Sequence, residues 1–250
     1  MKWRLLELTE NDGAANMAVD EALTLSIGSG KSLPTIRFYK WKPAAVSLGY
    51  FQKADDINLE FCKKNRIGIV RRLTGGKAVY HDARDLTYSV IAPTSLFSGD
   101  LRESYQEICS WLINGLKEIG ITAVLEDLND LRVDRKKISG NAQARVNNCV
   151  LQHGTIVYKF DVDSTMQVLK LTDKEKVTNE ITSVLDHKEI RFEEVYESIK
   201  SNFINRKEIV ENKLTQEEIE LIKKLVKEKY NTDQWNLESE GKERGACYLR

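Results

Sequence analysis

Apolar residues at Met17, Ala18, Ala22, Leu25 and Ile27 recur at helical spacing and predict a helix over 14–27, ended by Gly28-Ser29-Gly30. Two β-rich runs follow, 35–41 and 45–50, parted by the turn signal Lys42-Pro43. A short helix over 59–65 and a strand over 67–72 come next, and a strand over 86–92 stops at Pro93. The clearest helix spans 102–119. There Ile108, Trp111, Leu112, Gly115, Leu116 and Ile119 repeat at three and four, and Gly120 closes it. Strands are predicted over 121–125, 131–133 and 150–160, with a polar segment containing Gly, Asn and Ser between the last two. From Ser164 the pattern is helical and charged. Thr215 with Glu218 forms a capping box ahead of Ile219, Ile222, Leu225 and Val226. Strands dominate the first part and helices the last, with short turns joining neighbouring strands, so the pattern is α+β rather than a doubly wound parallel sheet.

The 250 residues are 41% hydrophobic, enough for a sizeable core, which excludes global disorder. Thirty-eight basic against 38 acidic side chains argue against a dedicated nucleic-acid or anionic-membrane binder. Cys62, Cys109, Cys149 and Cys247 are dispersed without a CxxC pair, so neither a zinc module nor a disulfide framework is expected. No signal peptide and no membrane-spanning run is visible, which leads to the expectation of a soluble, cytoplasmic protein.

Four segments carry candidate chemistry. Gly28-Ser29-Gly30-Lys31-Ser32 looks like the tail of a phosphate loop, but Leu25 stands where the first glycine belongs and a helix precedes it, so it reads as a helix cap. In 71–82 (Arg71-Arg72-Leu73-Thr74-Gly75-Gly76-Lys77-Ala78-Val79-Tyr80-His81-Asp82) two arginines end a strand and a paired glycine follows. Backbone N–H groups at paired glycines can approach an anion, and guanidinium suits phosphate or carboxylate. A plain hairpin with a solvated basic rim fits equally well. In 136–145 (Lys136-Lys137-Ile138-Ser139-Gly140-Asn141-Ala142-Gln143-Ala144-Arg145), after Asn129-Asp130, a lysine among small residues can meet a developing oxyanion; a surface turn is the other reading. Finally, Gln152-His153-Gly154 puts one histidine on a strand, where most histidines are structural.

Taken together, their order resembles the lipoate–protein ligase and octanoyltransferase superfamily, whose catalytic fold is shared with biotin ligases. The matching blocks are Asn16-Met17-Ala18-Val19-Asp20-Glu21-Ala22, Ile36-Arg37-Phe38-Tyr39-Lys40-Trp41, Ser47-Leu48-Gly49-Tyr50-Phe51-Gln52, the 71–82 signature, Asn129-Asp130, Lys137-Ile138-Ser139-Gly140, Gln152-His153-Gly154, Lys229-Tyr230 and Trp235-Asn236. The resemblance implies one catalytic domain over 1–250, with a large mixed sheet, a smaller sheet and surrounding helices. It also implies a lipoate–protein ligase that forms lipoyl-AMP from lipoate and ATP with Mg²⁺. The lipoyl group then passes to a lysine on the lipoyl domain of a 2-oxo-acid dehydrogenase or on the glycine-cleavage H protein. In that reading Lys137 is catalytic. Arg72, Gly75, Gly76, Lys77, Ala78, Val79, Tyr80, His81, Asn129, Asp130, Gly140, His153 and Gly154 bind the adenylate and its tail, and Asp130 holds the metal.

Two departures keep alternatives open. Lys77 stands where ligases commonly carry a third glycine, and this, like Asn141-Ala142-Gln143-Ala144-Arg145, is reminiscent of some octanoyltransferases. Those move octanoyl from acyl carrier protein without ATP, through a cysteine activated by a nearby lysine. One such class places its cysteine about fifteen residues before the lysine, where 121–134 has none. The other places it three residues before the histidine, where this chain has Val150; Cys149 lies one residue earlier, and a one-residue slip in a strand is expected to turn it to the opposite face. The sequence pattern therefore favours the ligase. A non-catalytic carrier-domain binder is the remaining alternative. The residues 237–250 form a short polar stretch, expected to fray, in place of the accessory domain of many ligases; this leads to the expectation of a separate accessory protein that assists adenylation.

Overall fold

The computed structural model describes residues 1–97, 99–211 and 213–238; Cys247 and the expected frayed tail from residue 239 lie outside the described residues. The strands run β1 (Lys2–Asn11), β2 (Thr35–Trp41), β3 (Ala45–Leu48), β4 (Gly68–Arg71), β5 (Val79–His81), β6 (Leu86–Pro93), β7 (Val124–Glu126), β8 (Asp130–Val133), β9 (Lys136–Val146), β10 (Cys149–Ile156) and β11 (Glu208–Glu211). Eight form a sheet in the order β11-β1-β2-β6-β10-β9-β8-β7, and three form a second, β4-β3-β5. In the large sheet β1 is parallel to both neighbours and the other pairings are antiparallel, so the sheet is mixed, as the resemblance implied. The helices are α1 (Gly13–Gly28), α2 (Leu59–Lys64), α3 (Leu101–Glu118), α4 (Val162–Val168), α5 (Lys174–Glu180), α6 (Val184–His187), α7 (Phe192–Ile204), α8 (Gln216–Leu225) and α9 (Asp233–Asn236). No described helix is long and apolar enough to cross a membrane.

One face of the large sheet is covered by α3 and α7. Ile36, Phe38, Tyr88 and Val90 pack there with Ile108, Leu112, Ile199 and Phe203, the apolar stripe that made α3 legible. The other face carries α1, wedged between the large sheet, the small sheet and α8. Contact on every side explains why twelve of its sixteen residues are buried and why polar Asn16, Asp20 and Glu21 lie inside. Gly28 ends it, Ser29 caps it and Gly30 takes φ +73°, so Gly28-Ser29-Gly30 is a helix terminus.

Strand β9 departs from expectation. The polar segment after Val133 is an eleven-residue strand between β8 and β10. Asn141 and Gln143 of β9 join a hydrogen-bond network with Tyr88 and Gln152 of the neighbouring strands, and these polar positions remove the apolar alternation that would have announced the strand. Tyr88 Oη donates to Asn141 Oδ1 (2.7 Å), Gln143 Nε2 to Gln152 Oε1 (2.8 Å), and Gln152 Nε2 to Tyr88 Oη (2.9 Å).

Candidate active site

A cavity of about 160 Å³ lies where α1, the small sheet, β9 and β10 meet. It gathers Arg72, Gly75, Gly76, Lys77, Ala78, Val79, His81, Asn129, Lys137, Gly140, His153 and Gly154. Tyr80 lines an adjoining cavity, and Asp130 joins the site through its ion pair with Lys137. Thr87 and Thr155 also line it without any signal in the sequence, and Met17, Tyr39, Trp41 and Ser47, quoted above only within the family blocks, take part as well.

The inner wall is aromatic. The Trp41 indole stacks on His81 with ring centroids 4.1 Å apart, and Trp41 Nε1 donates to Thr87 Oγ1 at 2.9 Å. His81 lies 2.9 Å from Ser47 Oγ. Burial, reinforced by the charge of Arg72, holds the His81 pKa well below the ordinary histidine value, so the wall is neutral. Such a surface suits an alkyl chain.

Arg72 does not point a free fork into the cavity. Its Nε donates to Thr74 Oγ1 (3.1 Å), Nη1 to Ser47 O (2.8 Å) and Ser47 Oγ (3.2 Å), and Nη2 to Gly75 O (2.7 Å) and Lys77 O (2.9 Å). All five N–H hydrogens are thereby directed at internal acceptors, and the guanidinium shapes the glycine loop by holding its carbonyls. Gly76 has φ +98°, and a Cβ on Gly49 would lie 1.8 Å from Gly76 O, so this loop and the Gly49 turn meet backbone to backbone. Arg71 fixes the same turn from behind, donating to the carbonyls of Gly49, Gln52, Trp235 and Asn236. The closing Trp235-Asn236 block is thus a clamp on the site's scaffold.

His153 is held on both ring nitrogens: Nδ1 lies 3.0 Å from Asp20 Oδ2, and Nε2 lies 2.7 Å from Thr74 Oγ1. Asp20 also accepts from Arg37 Nη1 (2.7 Å) and Ser89 Oγ (2.9 Å). Burial works against the Asp20 carboxylate, but Arg37 and His153 hold its pKa below the usual carboxylate value. His153 is therefore a fixed wall whose orientation is set by α1.

Lys137 lines the cavity with its side chain 37% exposed and Nζ 2.7 Å from Asp130 Oδ1. Its backbone is tied down by a segment far along the chain: Thr182 N donates to Lys137 O at 3.0 Å, beside a parallel bridge to Ile181. Asn129 and Asn141 exchange amide bonds across β8 and β9 (Asn129 Nδ2 to Asn141 O 2.6 Å; Asn141 Nδ2 to Asn129 O 2.9 Å), so Asn129 serves the sheet. At Gly154 a Cβ would fall 1.9 Å from Asn141 Oδ1 and 2.8 Å from Tyr88 Cε1. Gly154→Ala should cost about 1–3 kcal/mol in urea unfolding through this overpacking, and a variant as stable as the parent would refute the close-approach reading.

The three cysteines among the described residues stay outside the cavity. Cys149 lies on the face opposite Val150, as the slip argument predicted, but that face is the α1-facing side of β10 that it shares with His153. Four residues separate them, roughly 13 Å along a strand, and Cys149 is buried among Leu6, Val19, Leu23 and Ile27. Burial pushes its thiol up to about 11. Cys109 lies in the α3 core, where burial pushes it up to about 12, and Cys62 packs under the small sheet.

Residues 12–204 match the lipoyl protein ligase A/B catalytic domain. The chain belongs to that family. It is 34% identical to the octanoyltransferase LipM of Brevibacillus brevis, over 94% of this chain and 99% of that one. It is 39% identical to the octanoyltransferase LipM of Moorella thermoacetica, over 77% and 78%. Among solved structures, a bipartite lipoate protein ligase from Thermoplasma acidophilum superposes with a TM-score of 0.86 at 32% identity, covering 94% of this chain and 96% of that one. A lipoate-protein ligase A bound with ATP gives 0.83 at 30% identity, covering 94% and 98%.

The relatives correct the expected activity. Similarity at 33–35% identity, over more than nine tenths of the chain, to LipM proteins named as octanoyltransferases overturns the ATP-dependent lipoate ligase reading, and with it the ATP and Mg²⁺ cofactors. The metal role given to Asp130 goes too; its carboxylate is engaged by Lys137, with Arg132 3.4 Å away.

Two buried acids respond oppositely to pH. Asp20, with its lowered folded pKa, stabilises the fold fully above its unfolded pKa near ~4 and loses that contribution as pH falls through the folded value. Asp85, lining the adjoining cavity, is raised well above the ordinary value by burial and then by Asp82, so it stabilises at low pH and loses this as pH rises. Asp85→Asn should therefore raise the urea midpoint at pH 8, with a gap that closes toward pH 4. An equal gap at both pH values would show that Asp85 does not titrate across the window.

Proposed function

We propose that this chain transfers an octanoyl group from acyl carrier protein to a lysine of a lipoyl carrier domain, of a 2-oxo-acid dehydrogenase or the glycine-cleavage H protein. The observation that carries the reading is the Lys137 ammonium at the edge of a slot whose inner wall is neutral and aromatic. The tail lies against Met17, Trp41 and the stacked His81, and the thioester carbonyl sits at Lys137 Nζ. An ammonium donor there is stabilising where negative charge develops on the carbonyl oxygen, and Asp130 orients it. Gly140 leaves the space: a Cβ at that position would lie 2.8 Å from Lys137 Nζ. The LipM relatives support octanoyl as the acyl group. The test is incubation of an apo lipoyl domain with octanoyl-acyl carrier protein and no ATP, read by intact mass. Octanoylated domain is expected. Product formed only from free acid with Mg-ATP would sink the reading.

A further inference from the structure

A separate hollow of about 130 Å³ flanks the glycine loop, lined by Tyr50, Phe51, Leu73, Gly75, Ala144 and Val146, with Gln143. The Gln143 amide is spent on Gln152 and Ser104, which leaves the hollow mainly apolar. Gly75 also lines the acyl cavity. On β9 the cavity's Gly140 and Ala142 are followed on the same strand face by the hollow's Ala144 and Val146, so the two adjoin. Phe51 is 57% exposed, and on the loop itself Gly76 and Lys77 are exposed and Val79 is 39% exposed. The loop that presents them is pinned from within. Tyr50 N donates to Thr74 O at 2.9 Å, and Arg72 Nη2 donates to Lys77 O at 2.9 Å.

The cations of this mouth differ in what they are free to meet. Lys137 is paired with Asp130, and the Arg72 guanidinium is turned onto carbonyls of its own loop. Lys77 lines the cavity from its exposed rim, and among the described residues no acid pairs with its ammonium. Exposed apolar side chains, a hollow and an unpaired cation at one mouth suit a protein surface that is apolar and acidic. Two proteins meet this site. The donor carries its acyl group on a long prosthetic arm, so its body can sit at a distance. The acceptor brings only a lysine on a four-carbon stem, so its backbone must come to the rim. That lysine is an ammonium in water, and Lys77 repels it unless the acceptor brings negative charge as well. Resting on the octanoyl-transfer reading, we propose that the rim formed by Phe51, Lys77 and Val79 docks the acceptor domain. A carboxylate beside the acceptor lysine pairs with Lys77, and an apolar side chain of the same turn enters the hollow. Lys77 is then a specificity residue for the acceptor.

The test uses the full chain with octanoyl-acyl carrier protein and an apo lipoyl domain, read by intact mass over time. Lys77→Glu should lower kcat/KM for the acceptor by more than about tenfold, and Phe51→Ala by about tenfold, with kcat/KM for the donor little changed. Lys77→Ala, which removes a charge without adding one, should give a smaller fall in the same parameter. Both positions are exposed, so urea midpoints should match the parent's. An acceptor whose carboxylates beside the lysine are changed to lysine should be poor with the parent chain and recover about tenfold with Lys77→Glu. An unchanged acceptor kcat/KM in folded Lys77→Glu, or no recovery in the swapped pair, removes the acceptor from this rim. A fall confined to the donor's kcat/KM overturns the proposal in favour of the acyl carrier protein. Absence of any transfer by the unmutated chain would instead overturn the octanoyl-transfer reading, and this inference with it.

Discussion

Lys137→Ala should transfer octanoyl about 10²–10³ times more slowly than the parent while keeping its urea midpoint. The side chain is over a third exposed and its ion-pair partner, Asp130, is itself partly exposed, so the fold gives up little. Its Nζ is the cationic donor at the junction of the two cavities. The loss should fall mainly on kcat, because the interaction strengthens as charge builds on the carbonyl oxygen. Lys137→Arg should recover only part, since a planar fork cannot occupy the space that Gly140 leaves for a compact ammonium. Normal turnover by a folded Lys137→Ala protein would take Lys137 out of the chemistry.

Asp20→Ala should be the most damaging single change to the scaffold, about 3–5 kcal/mol in denaturant unfolding at neutral pH. It strands the buried Arg37 guanidinium, whose remaining bonds go to Asn16, and frees one nitrogen of His153. Asp20→Asn keeps the shape and one acceptor but leaves Arg37 without its counter-charge, so an intermediate loss is expected. Transfer should fall in both variants because the His153 wall loses its anchor on α1. A loss below ~1 kcal/mol for Asp20→Ala would mean that Arg37 finds solvent or another acceptor, and the buried pair would then be of the weak, surface type.

The helices that bury one stripe were legible from sequence, and so were the turns. α3 announced itself by its three-four repeat, and α8 by Thr215 and Glu218, whose capping box is present. The 71–82 signature and Lys137 stood out as candidates through their order among the family blocks, because alone each fitted a plain turn as well. Strand β9 was hidden by its polar composition, although two signals marked its ends. Asp134-Arg135 and Asn147-Asn148 are two-residue turns with positive φ at both positions, the conformation that joins adjacent antiparallel strands. Other facts existed only in three dimensions. Sequence could not show that Arg72 spends its donors on carbonyls of its own loop, or that Glu218 closes a buried pair with Arg4, 214 residues away. Nor could it show that Cys149 faces α1, because strand parity says which residues share a face and only packing says what covers it. The sequence alone determined which side chains were available for acyl chemistry. Tertiary structure decided which of them share a cavity, because burial and hydrogen-bond partners depend on segments far apart in the chain.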